Sequence, residues 1–123
     1  MRHPTAAAIA KLNRLLGIDE SSYGQDWEIE ASDPTKLDEY LRHYQESLDN
    51  DDERFTLMAL ILGGFEEYHT QEGPDNDVWN RIRSVLEADM SIHHDVIDYY
   101  QCNDATEPDE CFPITPLMRS IAL

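Results

Sequence analysis

Basic residues are scarce: nine Lys and Arg stand against 26 Asp and Glu, a formal charge of −17 over 123 residues. A surface this acidic repels phosphate backbones, which argues against direct nucleic-acid binding. Cysteine is nearly missing too, and the two that occur, Cys102 and Cys111, read as reduced thiols rather than as a disulfide framework. Long apolar runs are absent. The longest, LMALIL at 57–62, falls well short of the roughly 20 residues a membrane helix needs. The opening MRHPTAAAIAKLNRLL is interrupted by Lys11, Asn13 and Arg14, so it lacks the apolar centre of a secretion signal. A cytoplasmic protein without a membrane partner is expected.

Two further absences bear on chemistry. There is no Gly-x-Ser-x-Gly elbow and no glycine loop able to cradle phosphate. Ser91, His93 and Asp95 lie too close together on one predicted helix to act as nucleophile, base and orienting acid. Carboxylates are so abundant that a neighbouring pair such as Glu66 and Glu67 carries no acid–base signal. The chain therefore reads as a non-enzyme that needs no cofactor.

What is present points to a folded, mostly helical domain. Hydrophobic residues make up 41% of the chain, with two Trp, six Tyr and three Phe, too many for a disordered acidic tail. The length suits a single domain covering residues 1–123. Thr5 precedes a pattern with Ile9, Leu12, Leu15 and Leu16 on one face, and Gly17 is a natural stop. Trp27, Ile29 and Ala31 alternate with Glu28 and Glu30, the pattern of a short extended segment near 27–31 with one buried face.

Asp33 and Pro34 open a second helix carrying Leu37, Tyr40, Leu41, Tyr44 and Leu48. A third, after DNDDE, has apolar side chains in nearly every direction from Phe55 to Phe65 and is expected to be the buried centre. Gly63 and Gly64 within it favour close packing or a bend, since each weakens a helix by about 1 kcal/mol. TQEGPDND reads as a loop whose Asp75 or Asp77 caps a fourth helix, and Ser91 as the cap of a fifth. NDATEPDE reads as an exposed acidic loop, and ITPLMRSIAL as a short last helix holding Leu117, Met118, Ile121 and Leu123. The expected architecture is all-α, a compact bundle of about five helices plus a short C-terminal one.

Charge is segregated along the chain. Residues 1–18 carry three basic residues and no acid; residues 19–53 carry 13 acids against Lys36 and Arg42, a net −11. Residues 87–110 add eight acids and no Lys or Arg. Such a field solubilises the protein and also steers a basic partner towards it. On the second helix, Asp38, Glu39 and Glu46 fall away from the apolar stripe and are candidate partner contacts.

The densest chemistry lies in SIHHDVIDYYQC, residues 91–102. His94, Asp98 and Cys102 recur every four residues along one side of a helix. Zinc accepts those ligand types, but residues spread over two turns reach one ion only as a first pair. A closed site would need a further ligand such as His69 or Cys111. The favoured reading is a contact surface with incidental histidines and no metal. Tyr99 and Tyr100 are adjacent, so a helix cannot turn both into the core, and at least one belongs near the surface beside Asp95 and Asp98. Tyrosine ringed by acids suits a basic, partly apolar protein.

DVIDYY, residues 95–100, resembles the Asp-Leu-Ile-Tyr-Tyr segment of the immunity proteins that neutralise nuclease bacteriocins. Here Asp98 is inserted, and Gln101 stands where those proteins carry a proline. That family consists of small acidic four-helix proteins of the bacterial cytoplasm that bind the toxin's nuclease domain beside its active site. The resemblance implies an immunity-type inhibitor with Asp95, Tyr99 and Tyr100 as anchors and a basic toxin domain as partner. An alternative with the same electrostatics is a nucleic-acid mimic that antagonises a DNA-binding protein such as a restriction or CRISPR effector. The outward faces of the second and fifth helices also leave a homodimer open, and a metal-dependent enzyme is the weakest reading.

Overall fold

The computed structural model describes residues 2–19, 27–107 and 110–123. The described residues are all-α, with no strand among them. They contain α1 (Ala6–Leu16), α2 (Trp27–Glu30), α3 (Leu37–Glu46), α4 (Asp51–Glu72), α5 (Asn76–Ala88), α6 (Met90–Gln101) and α7 (Thr115–Met118). A 3-10 turn, Pro34–Lys36, leads into α3. Contacts divide the chain into two compact units, His3–Glu67 and Tyr68–Leu123 with Arg2, and the division falls within α4.

In the first unit, α1 begins as expected: the Thr5 hydroxyl accepts from the Ala8 amide at 3.2 Å, and Gly17 closes the helix in the left-handed conformation (φ 70°). Eight consecutive residues, Phe55 to Leu62, are buried on α4. No amphipathic face remains there, because an all-round apolar sequence is stable only when enclosed. Each fully enclosed Leu or Ile contributes about 1.5–3 kcal/mol relative to exposure.

The start of α4 is fixed by charge and hydrogen bonding together. Asn50 Oδ1 accepts from the Glu53 amide at 2.9 Å, while the Glu53 carboxylate accepts from the Asp49 amide and Asn50 Nδ2, each at 2.9 Å. This reciprocal arrangement is a capping box. Lys11 of α1 adds ion pairs to Glu53 at 2.6 Å and Asp49 at 2.7 Å. Burial opposes ionisation of Glu53, but Lys11 and the Asp49 amide outweigh it and hold the carboxyl below its ordinary value.

The segment near 27–31 is not extended. Trp27–Glu30 forms a helical turn, with the Ala31 amide donating to the Trp27 carbonyl at 2.8 Å. Its apolar residues do not share a buried face: Trp27 is enclosed, while Ile29 is 66% exposed. The alternation misled because tertiary partners select this conformation. Trp27 Nε1 donates to the buried Asn13 Oδ1 at 2.8 Å. The backbone also passes so close to α4 that a Cβ on Gly63 would lie 2.5 Å from the Glu28 carbonyl oxygen. A Cβ on Gly64 would lie 2.6 Å from Ser32 Oγ, which itself donates to the Leu60 carbonyl. The two glycines thus serve close packing.

Several helix boundaries differ from the sequence reading, including the last: α7 stops at Met118, so Ile121 and Leu123 lie past its end. Thr70, Gln71 and Glu72, expected in a loop, complete the last turn of α4. Leu48 lies past the end of α3, which stops at Glu46. Ser91 lies inside α6, which starts at Met90 with no side-chain cap. In the second unit, Asp75 is the cap of α5, accepting from the Asp77 and Val78 amides at 3.1 Å each, and from Tyr68 Oη at 3.0 Å. Trp79, Ile82, Val85 and Leu86 of α5 are buried, as are Ile92, Val96 and Ile97 of α6 and Ile114, Met118 and Ile121 at the C-terminal end. Leu123 is 52% exposed and is not a core residue. None of the helices is long and apolar enough to cross a membrane.

Candidate functional site

Two features of the chain bend its C-terminal segment back onto the end of α6. Cys102 terminates α6 in the left-handed conformation (φ 56°), a rare state for a residue with a side chain. Arg119 caps the exposed carbonyls there, donating from Nε to Gln101 O at 2.7 Å and from Nη2 to Cys102 O at 3.0 Å. A cation at a helix C-terminus also opposes the negative end of the helix dipole.

The returning segment is then tied down side chain to backbone. The Thr115 hydroxyl donates to Tyr100 O at 2.8 Å and accepts from the Phe112 amide at 3.0 Å. Thr115 is not the cap of the last helix, a position that Ile114 holds. Thr115 is instead the first residue of α7, and its hydroxyl bridges two other segments. Buried Gln101 donates from Nε2 to Met118 O at 3.0 Å and Ile121 O at 2.9 Å.

This stitching delivers Phe112 to the tyrosine pair. The Phe112 ring centroid lies 5.0 Å from that of Tyr99 and 4.9 Å from that of Tyr100; the two tyrosines meet edge to face at 5.3 Å. Such geometry favours aromatic pairs by about 0.5–1.5 kcal/mol beyond area burial. Tyr99 is 51% exposed and Tyr100 half-buried, so the adjacent pair splits as the sequence required. Beside the rings runs a groove of about 490 Å³ whose lining includes Asp95, Asp98, Asp104 and Glu110 and no Lys or Arg.

The four carboxylates are not equivalent. Asp95 Oδ2 accepts the Arg2 amide at 2.8 Å, and His94 Nδ1 lies 3.6 Å from Oδ1. The Arg2 amide is the main reason that the Asp95 carboxyl is held below its usual range. Asp95 is therefore partly committed to anchoring the N-terminal segment. Asp98, Asp104 and Glu110 are exposed, and no hydrogen bond or ion pair within the described residues engages their carboxylates.

The remaining residues singled out in the sequence fall elsewhere. Asp38 and Glu46 are exposed on α3, whereas Glu39 is partly covered and lies 4.0 Å from His43 across one helical turn. They belong to the first unit, and the α6 residues belong to the second. His94 is exposed, but His93 is fully buried and so is not a surface histidine. Among the described residues, no three His, Cys, Asp or Glu side chains converge as metal ligands. Phe112 escaped the sequence reading, which gave Asp104 and Glu110 only as members of an exposed acidic stretch and not as site residues. The available signal was the small number of residues that separate α6 from ITPLM in the sequence.

A half-exposed ring set among other rings and ringed by uncommitted acids can receive a cation and its aliphatic stem at once. No known protein family matches the chain, and no curated protein or solved structure is significantly similar to it.

Proposed function

We propose that the protein is an immunity-type inhibitor: it neutralises a bacterial toxin, a nuclease in the first instance, by covering the basic groove that the toxin uses for nucleic acid. The observation that supports this most is the groove on α6, where Asp98, Asp104 and Glu110 surround the half-exposed Tyr99 without a basic residue in the lining. The acids steer a cationic domain into place, and the ring supplies desolvated contact area. The resemblance of residues 95–100 to the immunity-protein segment points the same way.

Asp95 plays a lesser part than the other acids, because its carboxylate also holds Arg2. The exposed aromatic centre favours a protein with mixed basic and apolar surface. A mimic of nucleic acid needs carboxylates at phosphate-like spacing and has no comparable use for the ring. Inhibition by occlusion requires no reaction on this chain.

The test begins with capture of the partner from the native cell and its identification. The expected partner is a basic nuclease whose activity falls to zero at one equivalent of this protein. Its association rate drops steeply as salt rises, because steering is screened over about 8–10 Å at physiological ionic strength. A partner that lacks nuclease activity, or an association rate indifferent to salt, overturns the assignment.

A further inference from the structure

Cys102 and Cys111 flank the acidic stretch of sequence 103–110, and the fold of the surrounding described residues brings them near each other. The Cys102 thiol donates to Glu110 O at 3.5 Å, one residue short of Cys111. The Cys111 thiol lies 4.0 Å from Cys102 O and 3.9 Å from Glu107 O. The neighbouring Cys111 side chain, together with burial, pushes the Cys102 thiol up. Arg119 completes the arrangement. The same Nη2 that donates to Cys102 O at 3.0 Å also lies 3.8 Å from Cys111 Sγ. A guanidinium N–H is thus already directed at the sulfur that must carry negative charge as a thiolate before Cys111 attacks.

Neither thiol has a packing role that demands a cysteine. Both are partly exposed, and both lie on the surface side of the α6 terminus rather than among the core residues of α5 and α6. A structural buried thiol is inert because reagents cannot reach it; these two can be reached.

From this geometry we infer that Cys102 and Cys111 form a thiol-exchange site that reacts with small-molecule disulfides of the glutathione type and closes to an intramolecular disulfide. In the first step the Cys111 thiolate attacks one sulfur of the oxidised reagent. A Cys111–reagent S–S bond forms, the reagent's own S–S bond breaks, and one reagent thiolate leaves and takes up a proton. In the second step Cys102, having lost its proton to solvent, attacks Cys111 Sγ. The Cys102–Cys111 bond forms, the mixed disulfide breaks, and the second reagent thiol departs. Two protein thiols are oxidised by two electrons, and one reagent disulfide is reduced to two thiols.

The consequence for the surface follows from chain connectivity. Phe112 is next to Cys111, and its ring packs on Tyr99 and Tyr100. A bond at Cys111 would fix the approach of that ring, so the oxidation state would reach the groove. That consequence rests on the docking role proposed above; the exchange reaction does not.

The full-length chain is incubated with oxidised glutathione and followed by intact mass and thiol titration. The wild type is expected to lose both thiols together and to retain no glutathione. Cys102→Ser and Cys111→Ser are each expected to stop at the mixed disulfide, with Cys102→Ser, which keeps Cys111, reacting faster. The effective concentration of one thiol for the other should be at least tenfold higher in the folded chain than in urea, since the fold has already closed the loop. The inference is overturned by wild-type protein that retains glutathione or becomes a disulfide-linked dimer. It is equally overturned if folded and urea-unfolded chains close with the same effective concentration. Failure of toxin capture would leave these outcomes unchanged, so the two proposals stand or fall separately.

Discussion

Two acidic stretches of this protein carry similar charge and do different things. Around the start of α4, Asp49 and Glu53 are held by Lys11, Asp51 by Arg54 at 3.0 Å, and Glu53 by two further donors. Around the end of α6, Asp95 is the one groove carboxylate engaged among the described residues, and Asp98, Asp104 and Glu110 face solvent beside Tyr99. Charge density is the same kind of signal in both places. What separates structural acids from available ones is the donor each has found. A carboxylate that accepts two or three hydrogen bonds contributes to stability, and one with none contributes only field.

The sharpest break of this contrast is Glu53→Ala. It removes the capping box and leaves the Asn50 and Asp49 donors without their acceptor, so a loss of about 2–3 kcal/mol in unfolding free energy is expected. Denaturant titration measures it. The depressed carboxyl of Glu53 also sets the sign of the pH response: its stabilisation is complete above the ordinary value of 4.5 and disappears as pH falls through the folded value. An unchanged midpoint in Glu53→Ala would erase the distinction between the two stretches.

Next comes Tyr99→Ala. Half of the side chain is already in water, so stability should fall by no more than about 1 kcal/mol. Partner affinity should fall by about 2 kcal/mol, roughly 30-fold, if the ring is the anchor of the contact. Calorimetric titration against the captured partner decides this. A variant that loses stability but not affinity would return the ring to a purely structural role.

Glu66 supplies a third kind of acid, one whose charge the fold disfavours. Burial raises its carboxyl from 4.5 to about 7. The native state therefore holds a proton that the unfolded chain releases between those values, and stability declines as pH rises through that window. Glu66→Gln should remove this slope and stabilise the protein at pH 8 by about 1–2 kcal/mol, a value discounted for the solvent that still reaches the half-buried side chain. Thermal unfolding of both proteins at pH 4.5 and pH 8 tests it, and parallel curves would refute the assignment.

The smallest effects come from pairing Asp95→Asn with Asp98→Asn. Asp95→Asn weakens the hold on the Arg2 amide and should lower the melting temperature slightly. Asp98→Asn should leave stability within about 0.5 kcal/mol and slow association with a cationic partner instead. Stopped-flow rates set beside melting curves would show the two aspartates exchanging roles, or fail to.

Much of the helical content was legible because the signals are local. Thr5 and Gly17 bracket α1, Asp75 caps α5, Asp33 caps the 3-10 turn ahead of α3, and the unbroken apolar sequence of α4 could only be enclosed. The 27–31 segment was not legible, because four residues of alternation are decided by whatever packs on them. Here Asn13 receives the Trp27 indole, and Gly63 admits the Glu28 carbonyl.

The candidate site was legible by halves. Sequence placed Tyr99, Tyr100, Asp95 and Asp98 together, since neighbours on one helix stay neighbours in any fold. It could not separate the engaged Asp95 from the open Asp98, because the donor that distinguishes them is the backbone of Arg2, 93 residues away. Nor could it bring in Phe112 or pair the two thiols, which depends on Thr115 and Arg119 folding the chain back onto α6.

By itself, then, the sequence determined the helical class, the buried centre and the sign of the surface, since propensity, hydrophobic burial and net charge are sums over residues. Only tertiary structure decided which acids are committed to hydrogen bonds and which rings meet. Those facts depend on pairs of groups, and the meeting of distant groups is fixed by packing rather than by either residue's own chemistry.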